Sequence, residues 1–399
     1  MSVPARVLVV DDEPDIETLI RRRFRRSNGD FEFLFARNGK EALSMLAEDP
    51  RVDLVVTDIN MPVMDGLALH GRLAAMDDRI LKAVILSAYG DMHNIRTAMN
   101  RGAFDFLMKP LDFEDFETTL RRTHDAVRAA REAVAARSEL SAIQQELEIA
   151  ARIQAAILPR EFCPARADVQ IYAEMTPARV VGGDFYDFFF IDPEHLGFLI
   201  GDVSGKGIPA ALFMAVSRTL LQAVGLQGTP PHECLRYANQ VLGARGEPGV
   251  YVTVFYGILN TATGELEYCL GGHNPPYRLS TTGEIKSIWE PGGVVVGLLP
   301  DSDYETGRIQ LAPGEAVFLF TDGVTEAMST GEKFFGERRL KEVLAGAAGV
   351  QPKELVGRVL KAVTEHTTGA EQSDDITAMC VKWNGATHNS GATSTEPSV

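Results

Sequence analysis

Cysteine, tryptophan and positive charge are all scarce in this chain. The four cysteines, Cys163, Cys234, Cys269 and Cys380, lie far apart and match no metal-ligand spacing. That excludes a zinc ribbon or a disulfide framework and implies reduced, buried thiols. Lys and Arg together number 39 against 55 Asp and Glu, a formal charge of −16. So acidic a chain is a poor match for nucleic acid or an anionic membrane, and neither is expected as a partner. Long apolar runs are also missing. Val7–Val10 runs straight into two aspartates, unlike the apolar region of a signal peptide. No window approaches about 18 uncharged apolar residues, so no membrane span is expected and the chain reads as soluble and cytoplasmic.

With 399 residues and 45% hydrophobic content, the chain is long enough for two or three domains. From residue 6 to about 120, short apolar runs alternate with amphipathic stretches. The expected strands are Arg6–Val10, Phe31–Ala36, Leu54–Thr57, Ala83–Leu86 and Phe104–Met108, with helices such as Glu17–Arg26 and Gly39–Ala47 between them. This alternation predicts a doubly wound parallel sheet, whose sites lie beyond the carboxyl ends of its strands. Asp11 and Asp12 follow the first run, Asp58 ends the third, Ser87 the fourth and Lys109-Pro110 the fifth. Three carboxylates brought together repel one another unless a hard cation such as Mg²⁺ sits among them. A lysine and a hydroxyl at the same rim can hold the remaining oxygens of a phosphoryl group, which makes Asp58 a candidate nucleophile.

The stretches LVVDDEPD, VVTDINMPVMDG, VILSA and FDFLMKP resemble the signatures of a two-component receiver domain, over roughly residues 5–125. The resemblance implies a flavodoxin-like fold with Asp58 as phosphoacceptor. It also implies a Mg²⁺ site formed by Asp12, Asp58 and the Asn60 carbonyl with Asp11 nearby, and phosphoryl contacts from Ser87 and Lys109. Phe106 falls at the aromatic switch position, and a cis Lys109-Pro110 bond is expected.

Farther along, GDVSGKG (Gly201–Gly207) looks at first like a phosphate loop. Its Gly and Lys are wrongly spaced, no hydroxyl follows the lysine, and Asp202 would repel the anion. The surrounding pattern is of close-set strands: Val169–Ala173, Phe185–Phe190, Gly197–Ile200, Tyr251–Leu259, Glu265–Leu270, Pro276–Leu279, Ala316–Phe320 and Ile376–Trp383. Helices are expected at Pro209–Val224, Pro231–Leu242 and Glu337–His366, giving stacked sheets flanked by helices. Asp184 precedes one strand, Asp202 ends the next, Asp322 ends another, and Asp374 and Asp375 precede the last. Lys206 is the one cation within these motifs, so the acids require metal ions. Oxygen-only ligation suits Mg²⁺ or Mn²⁺.

VVGGDFYDF, GDVSGKGIPAAL, GGHNPPY, FLFTDGVTEA and SDDIT resemble the SpoIIE/RsbU-type branch of the PPM (PP2C) serine/threonine phosphatases, over roughly residues 150–384. The resemblance implies two Mn²⁺ or Mg²⁺ ions bridged by Asp184 and Asp202. Val203 contributes its carbonyl, and Asp322 and one of Asp374/Asp375 hold the second ion, with Asp374 favoured. His273 reads as a loop histidine held by hydrogen bonds, with a proton shuttle as the alternative. The phosphate-gripping arginine of larger members has no clear counterpart.

Between the two patterns, Phe113–Leu158 contains neither glycine nor proline. Phe113, Phe116, Leu120, Thr123, Val127, Ala130 and Val134 follow 3-4 spacing, as do Leu140, Ile143, Leu147, Ala150, Gln154 and Ile157, with a phase slip between. This predicts a parallel coiled coil joining two copies of the chain. The expected organisation is a receiver at 1–125, a helical linker at 113–158, a phosphatase at 159–384 and a disordered tail at 385–399. The whole reads as a response regulator: a sensor histidine kinase phosphorylates Asp58, and the output dephosphorylates a phosphoprotein. The resemblance makes an anti-sigma-factor antagonist of the STAS type the leading substrate. The alternative is a non-catalytic adaptor that binds a sigma or anti-sigma factor when phosphorylated.

Overall fold

The computed structural model describes residues 4–25, 29–49, 51–76, 80–88, 91–159, 166–245, 249–346 and 348–386. Cys163 and nearly all of the expected disordered tail lie outside them. The chain divides into two compact units, Met1–Ile143 and Gln144–Val399.

In the first unit, strands β1 (Ala5–Val10), β2 (Phe31–Ala36), β3 (Leu54–Asp58), β4 (Lys82–Ala88) and β5 (Asp105–Lys109) alternate with helices α1 (Pro14–Phe24), α2 (Gly39–Glu48), α3 (Gly66–Ala75) and α4 (Met92–Asn100). The strands form a parallel sheet in the order β2-β1-β3-β4-β5. Local chemistry starts the helices where they are needed. Asn38 Oδ1 accepts from the Lys40 and Glu41 N–H groups, and Glu41 returns a bond to the Arg37 N–H at 2.8 Å. Asp65 caps α3 by accepting from the Ala68 N–H at 2.7 Å. Leu8, Val55, Val56 and Ile85 are fully buried, so β1, β3 and β4 carry the core and point their carboxyl ends toward one rim.

Helix α5 runs without interruption from Phe113 to Ile157. Its first apolar stripe does not serve as a free seam. Phe116, Leu120, Thr123 and Val127 are buried within the first unit, and Arg131 Nη1 pairs with Asp53. An isolated helical stripe and a core-packed one have the same period, so spacing alone does not separate them. Val134, Leu140 and Ile143 are exposed.

The second unit contains β6 (Val169–Thr176), β7 (Phe185–Phe190), β8 (His195–Val203), α6 (Ile208–Gly225), α7 (Pro231–Arg245), β9 (Val252–Asn260), β10 (Glu265–Gly271), β11 (Tyr277–Leu279) and β12 (Ile285–Ser287). After these come β13 (Gly307–Gln310), β14 (Ala316–Phe320), α8 (Asp322–Thr325), α9 (Gly336–Ala345), α10 (Pro352–His366) and β15 (Ile376–Trp383). Two antiparallel sheets result, ordered β13-β10-β9-β8-β7 and β12-β11-β14-β15-β6. Phe198, Phe255, Val317, Leu319, Met379 and Val381 meet in one core between them. Helices α6 and α7 cover the first sheet, and α9 and α10 cover the second.

The helix expected over Glu337–His366 is two helices. Gly346 caps α9, Gly349 has a φ of 80°, and Pro352 starts α10. By length and composition α6 is apolar enough to cross a membrane. Here it packs on the sheet through Ala210, Met214 and Leu221, and its half-buried Arg218 pairs with Asp187 at 2.8 Å.

One close approach fixes the loop that follows Asp58. A Cβ on Gly66 would stand 2.0 Å from the backbone oxygen of Asp58. Gly66→Ala is expected to cost on the order of 2–4 kcal/mol and to suppress labelling of Asp58 by acetyl phosphate. An unchanged urea midpoint with full labelling would contradict this packing.

Candidate active sites

Asp11, Asp12 and Asp58 each bring a carboxylate oxygen within 4.8 Å of the other two. They meet because β1 and β3 are parallel neighbours, with Val10 paired to Thr57. Lys109, next to Ala88 in the β4–β5 register, reaches Asp58 at 2.8 Å and Asp11 and Glu13 at 2.9 Å each. Burial alone would lower the Lys109 pKa, but hydrogen bonds to Asp58, Asp11 and Glu13 outweigh it and hold the ammonium charged. Burial raises Asp11, and Lys109 opposes that rise. Ser87 is buried at the same rim, its Oγ 3.5 Å from the Ala88 oxygen. The Asn60 N–H lies 3.4 Å from Asp58 Oδ1, and its side chain donates to Asp91 at 3.2 Å. Phe106 on β5 is 37% exposed. The Lys109-Pro110 bond is cis. An all-oxygen trio of this kind fits a hard divalent cation.

The second unit gathers its acids where the two sheets meet. β7 and β8 pair with Phe185 opposite Gly201, which brings Asp184 beside Asp202. Asp184 is fully enclosed. Its Oδ2 accepts from Thr321 Oγ1 at 2.7 Å and Thr377 Oγ1 at 2.6 Å, tying the end of β14 and the start of β15 to β7. Burial, followed by repulsion from Asp202, holds the Asp184 pKa well above the ordinary carboxylate range. Asp202 is raised by burial and then by Asp322 and Asp374, and Asp322 by burial and then by Asp374 and Glu326. The Val203 carbonyl faces Gly183, where a Cβ would lie 3.0 Å away. Among the described residues only the Asp11 group brings three ligand oxygens within 4.8 Å, so the second set of acids is more open. Its donors are all oxygen, and burial together with neighbouring carboxylates raises Asp184, Asp202 and Asp322. Both properties fit Mg²⁺ or Mn²⁺.

The tandem acids separate clearly. Asp375 is buried and accepts from the backbone N–H groups of Ala178 at 2.7 Å, Gly183 at 2.6 Å and Asp184 at 3.4 Å. Asp374 is more exposed, and its Oδ2 lies 2.9 Å from Lys206 Nζ. Asp375 thus organises the loop, and Asp374 faces the other acids.

Several participants carry no motif signal. Glu13 shares Lys109, and Thr321 and Thr377 hold Asp184. Gln154, near the end of α5, forms a two-way amide pair with Gly182, at 2.6 Å to its oxygen and 3.1 Å from its N–H. Arg179 lies over the metal-loop candidate, its Nη1 within 3.7 Å of where a Cβ on Gly207 would be. It stands immediately before VVGGDFYDF, outside the motif, and only its position five residues before Asp184 could have drawn attention to it. His273 is buried and bonded to Thr253 at 2.9 Å, and burial lowers its pKa to about 4, so it is neutral and structural.

The fold and the sites define a receiver followed by a PP2C-type sandwich. The receiver-domain family model matches residues 7–121, and that of stage II sporulation protein E (SpoIIE) matches 192–384. Protein IcfG of Synechocystis is 33% identical over 263 residues, 59% of this chain and 41% of IcfG. Phosphoserine phosphatase RsbU of Bacillus subtilis is 31% identical over 224 residues, 55% of this chain and 66% of RsbU. The chain thus spans less than two thirds of either relative. The SiaA-PP2C domain of Pseudomonas aeruginosa has the same fold, with a TM-score of 0.55 and 24% identity over 61% of this chain and 98% of that one. This chain therefore carries a region that matches response regulator receiver domains, followed by one that matches SpoIIE.

Both tryptophans, Trp289 and Trp383, lie in the second unit, so their fluorescence follows its unfolding. Asp375→Asn is expected to destabilise that unit by about 2–4 kcal/mol, because an amide cannot accept from all three N–H groups. Asp374→Asn should leave the metal-free midpoint within about 1 kcal/mol and abolish much of the shift produced by Mn²⁺. The reverse pattern would exchange the two roles.

Proposed function

We propose that phosphorylation of Asp58 controls a metal-dependent protein serine/threonine phosphatase in the same chain. The observation that carries this reading is the set Asp184, Asp202, Asp322 and Asp374 at one rim, all oxygen donors, with burial and neighbouring carboxylates raising Asp184, Asp202 and Asp322. Boundaries follow the sequence: receiver 1–125, linker 113–158, phosphatase 159–384.

In the receiver, Asp58 is the nucleophile toward a phosphodonor supplied by a sensor histidine kinase. Asp11, Asp12, Asp58 and the Asn60 carbonyl are the proposed Mg²⁺ ligands, and Lys109 and Ser87 hold phosphoryl oxygens. In the phosphatase, Asp184, Asp202 and the Val203 carbonyl are proposed for one cation, with Asp322 and Asp374 for the other. Such ions supply a hydroxide near neutral pH and neutralise phosphoryl charge. Thr321 and Thr377 fix the orientation of Asp184, Asp375 holds the Gly183 backbone against it, and Arg179 and Lys206 face the incoming phosphate. Gln154 links α5 to Gly182, two residues before Asp184, which gives the helix a direct mechanical connection to the acids.

RsbU is described as a phosphoserine phosphatase. By that likeness the substrate is a phosphoserine or phosphothreonine protein, with an anti-sigma-factor antagonist of the STAS type as the leading one. The exposed Val134, Leu140 and Ile143 support a parallel homodimer through α5 in the cytoplasm.

With Mn²⁺ and p-nitrophenyl phosphate, the unaltered chain should turn over. Asp202→Asn should lower kcat by at least about a hundredfold. Absence of turnover with any divalent ion, whatever the state of Asp58, would favour the adaptor reading. Light scattering should give twice the chain mass, and Leu140→Asp with Ile143→Asp should give a monomer. A monomeric unaltered chain would remove the dimeric relay.

A further inference from the structure

Beside the acids lies a groove of about 560 Å³ with Leu147, Val180, Val181 and Ile208 on its apolar walls and Arg179 and Lys206 at its rim. It opens onto the same site. Lys206 lies 2.9 Å from Asp374, and Val181 leads into Gly182-Gly183, whose second N–H is bound by Asp375. Val180 and Ile208 are 45% and 53% exposed, so two aliphatic side chains stand open to solvent next to a charged centre. Isolated exposed aliphatics are ordinary, but here they line a concavity contiguous with the acids.

The chemistry of the walls selects an occupant. Two cations at the mouth, on a chain of net charge −16, complement a dianionic phosphate. None of the groove's lining residues is aromatic, so it offers no stacking platform for a nucleotide base. An extended peptide advances about 3.3 Å per residue and sends alternate side chains the same way. A phosphoserine at the acids therefore presents a side chain two or three positions away to the apolar walls.

We propose that this groove is a specificity subsite for an aliphatic residue flanking the phosphoserine of a protein substrate. The proposal rests on the phosphatase reading above. Leu147 belongs to α5, so the same helix that holds Gly182 also forms part of the subsite wall.

The test uses the full chain with Mn²⁺, p-nitrophenyl phosphate, and capped phosphoserine peptides in a Gly/Ser background. A single Leu or Asp is walked through the flanking positions. At one or two positions Leu should raise kcat/KM about tenfold over Asp. Val180→Asp and Ile208→Asp should erase that preference when each variant's peptide rates are divided by its own p-nitrophenyl phosphate rate. Equal rates for Leu and Asp at every position, or a preference that survives both substitutions, overturn the subsite while leaving the phosphatase intact. No turnover of p-nitrophenyl phosphate by the unaltered chain removes the phosphatase reading and the subsite with it. If Ile208→Asp leaves the preference intact and dissociates a dimer in light scattering, the face belongs to a second copy and the proposal fails.

Discussion

Everything chemical in this molecule depends on holding carboxylates closer together than their charges permit. The two units meet that demand differently. In the first, one ammonium is shared: Lys109 contacts Asp58, Asp11 and Glu13, close to Asp12. In the second, Lys206 pairs with Asp374 and donates to the Ser373 carbonyl, while Asp184 relies on two threonine hydroxyls that carry no charge. Burial then raises Asp184, Asp202 and Asp322 together. Carboxylates gathered in this way are costly to bury without a countercharge.

The folds supply the geometry through their strand ends. A parallel sheet brings every carboxyl end to one rim, so Asp11, Asp58, Ser87 and Lys109 converge although they span nearly a hundred residues of sequence. The sandwich achieves the same result with antiparallel hairpins, where the start of β7 lies beside the end of β8. Two close backbone approaches complete the second rim. A Cβ on Gly182 would stand 2.4 Å from the Asp375 carboxylate, and one on Gly323 would stand 1.9 Å from its backbone oxygen. Asp375 is consequently the hub of the loop, while the half-buried Asp374 turns toward Lys206.

Much of this is legible in the sequence because strand periodicity and strand-end acids are local signals. The five strands of the receiver, the stacked sheets and the acids of both rims can all be read that way. What is not legible depends on contacts between distant segments. The stripe from Phe116 to Val127 reads as a coiled-coil seam, but the receiver core takes it. The run from Glu337 to His366 reads as one helix until Gly346, Gly349 and Pro352 are weighed together. Asp374 and Asp375 are chemically identical, and only the three backbone N–H groups converging on Asp375 tell them apart. Arg179 and Gln154 sit in no motif, and their relevance comes from where the chain folds back on them.

The most direct measurement of the central claim is a count of bound ions. Equilibrium dialysis of the full chain against Mn²⁺ should show one ion that Asp11→Asn removes and two further ions that Asp202→Asn removes. Undiminished Mn²⁺ binding by Asp202→Asn would mean that the acids of the second unit are not a metal centre, and the phosphatase account would fall.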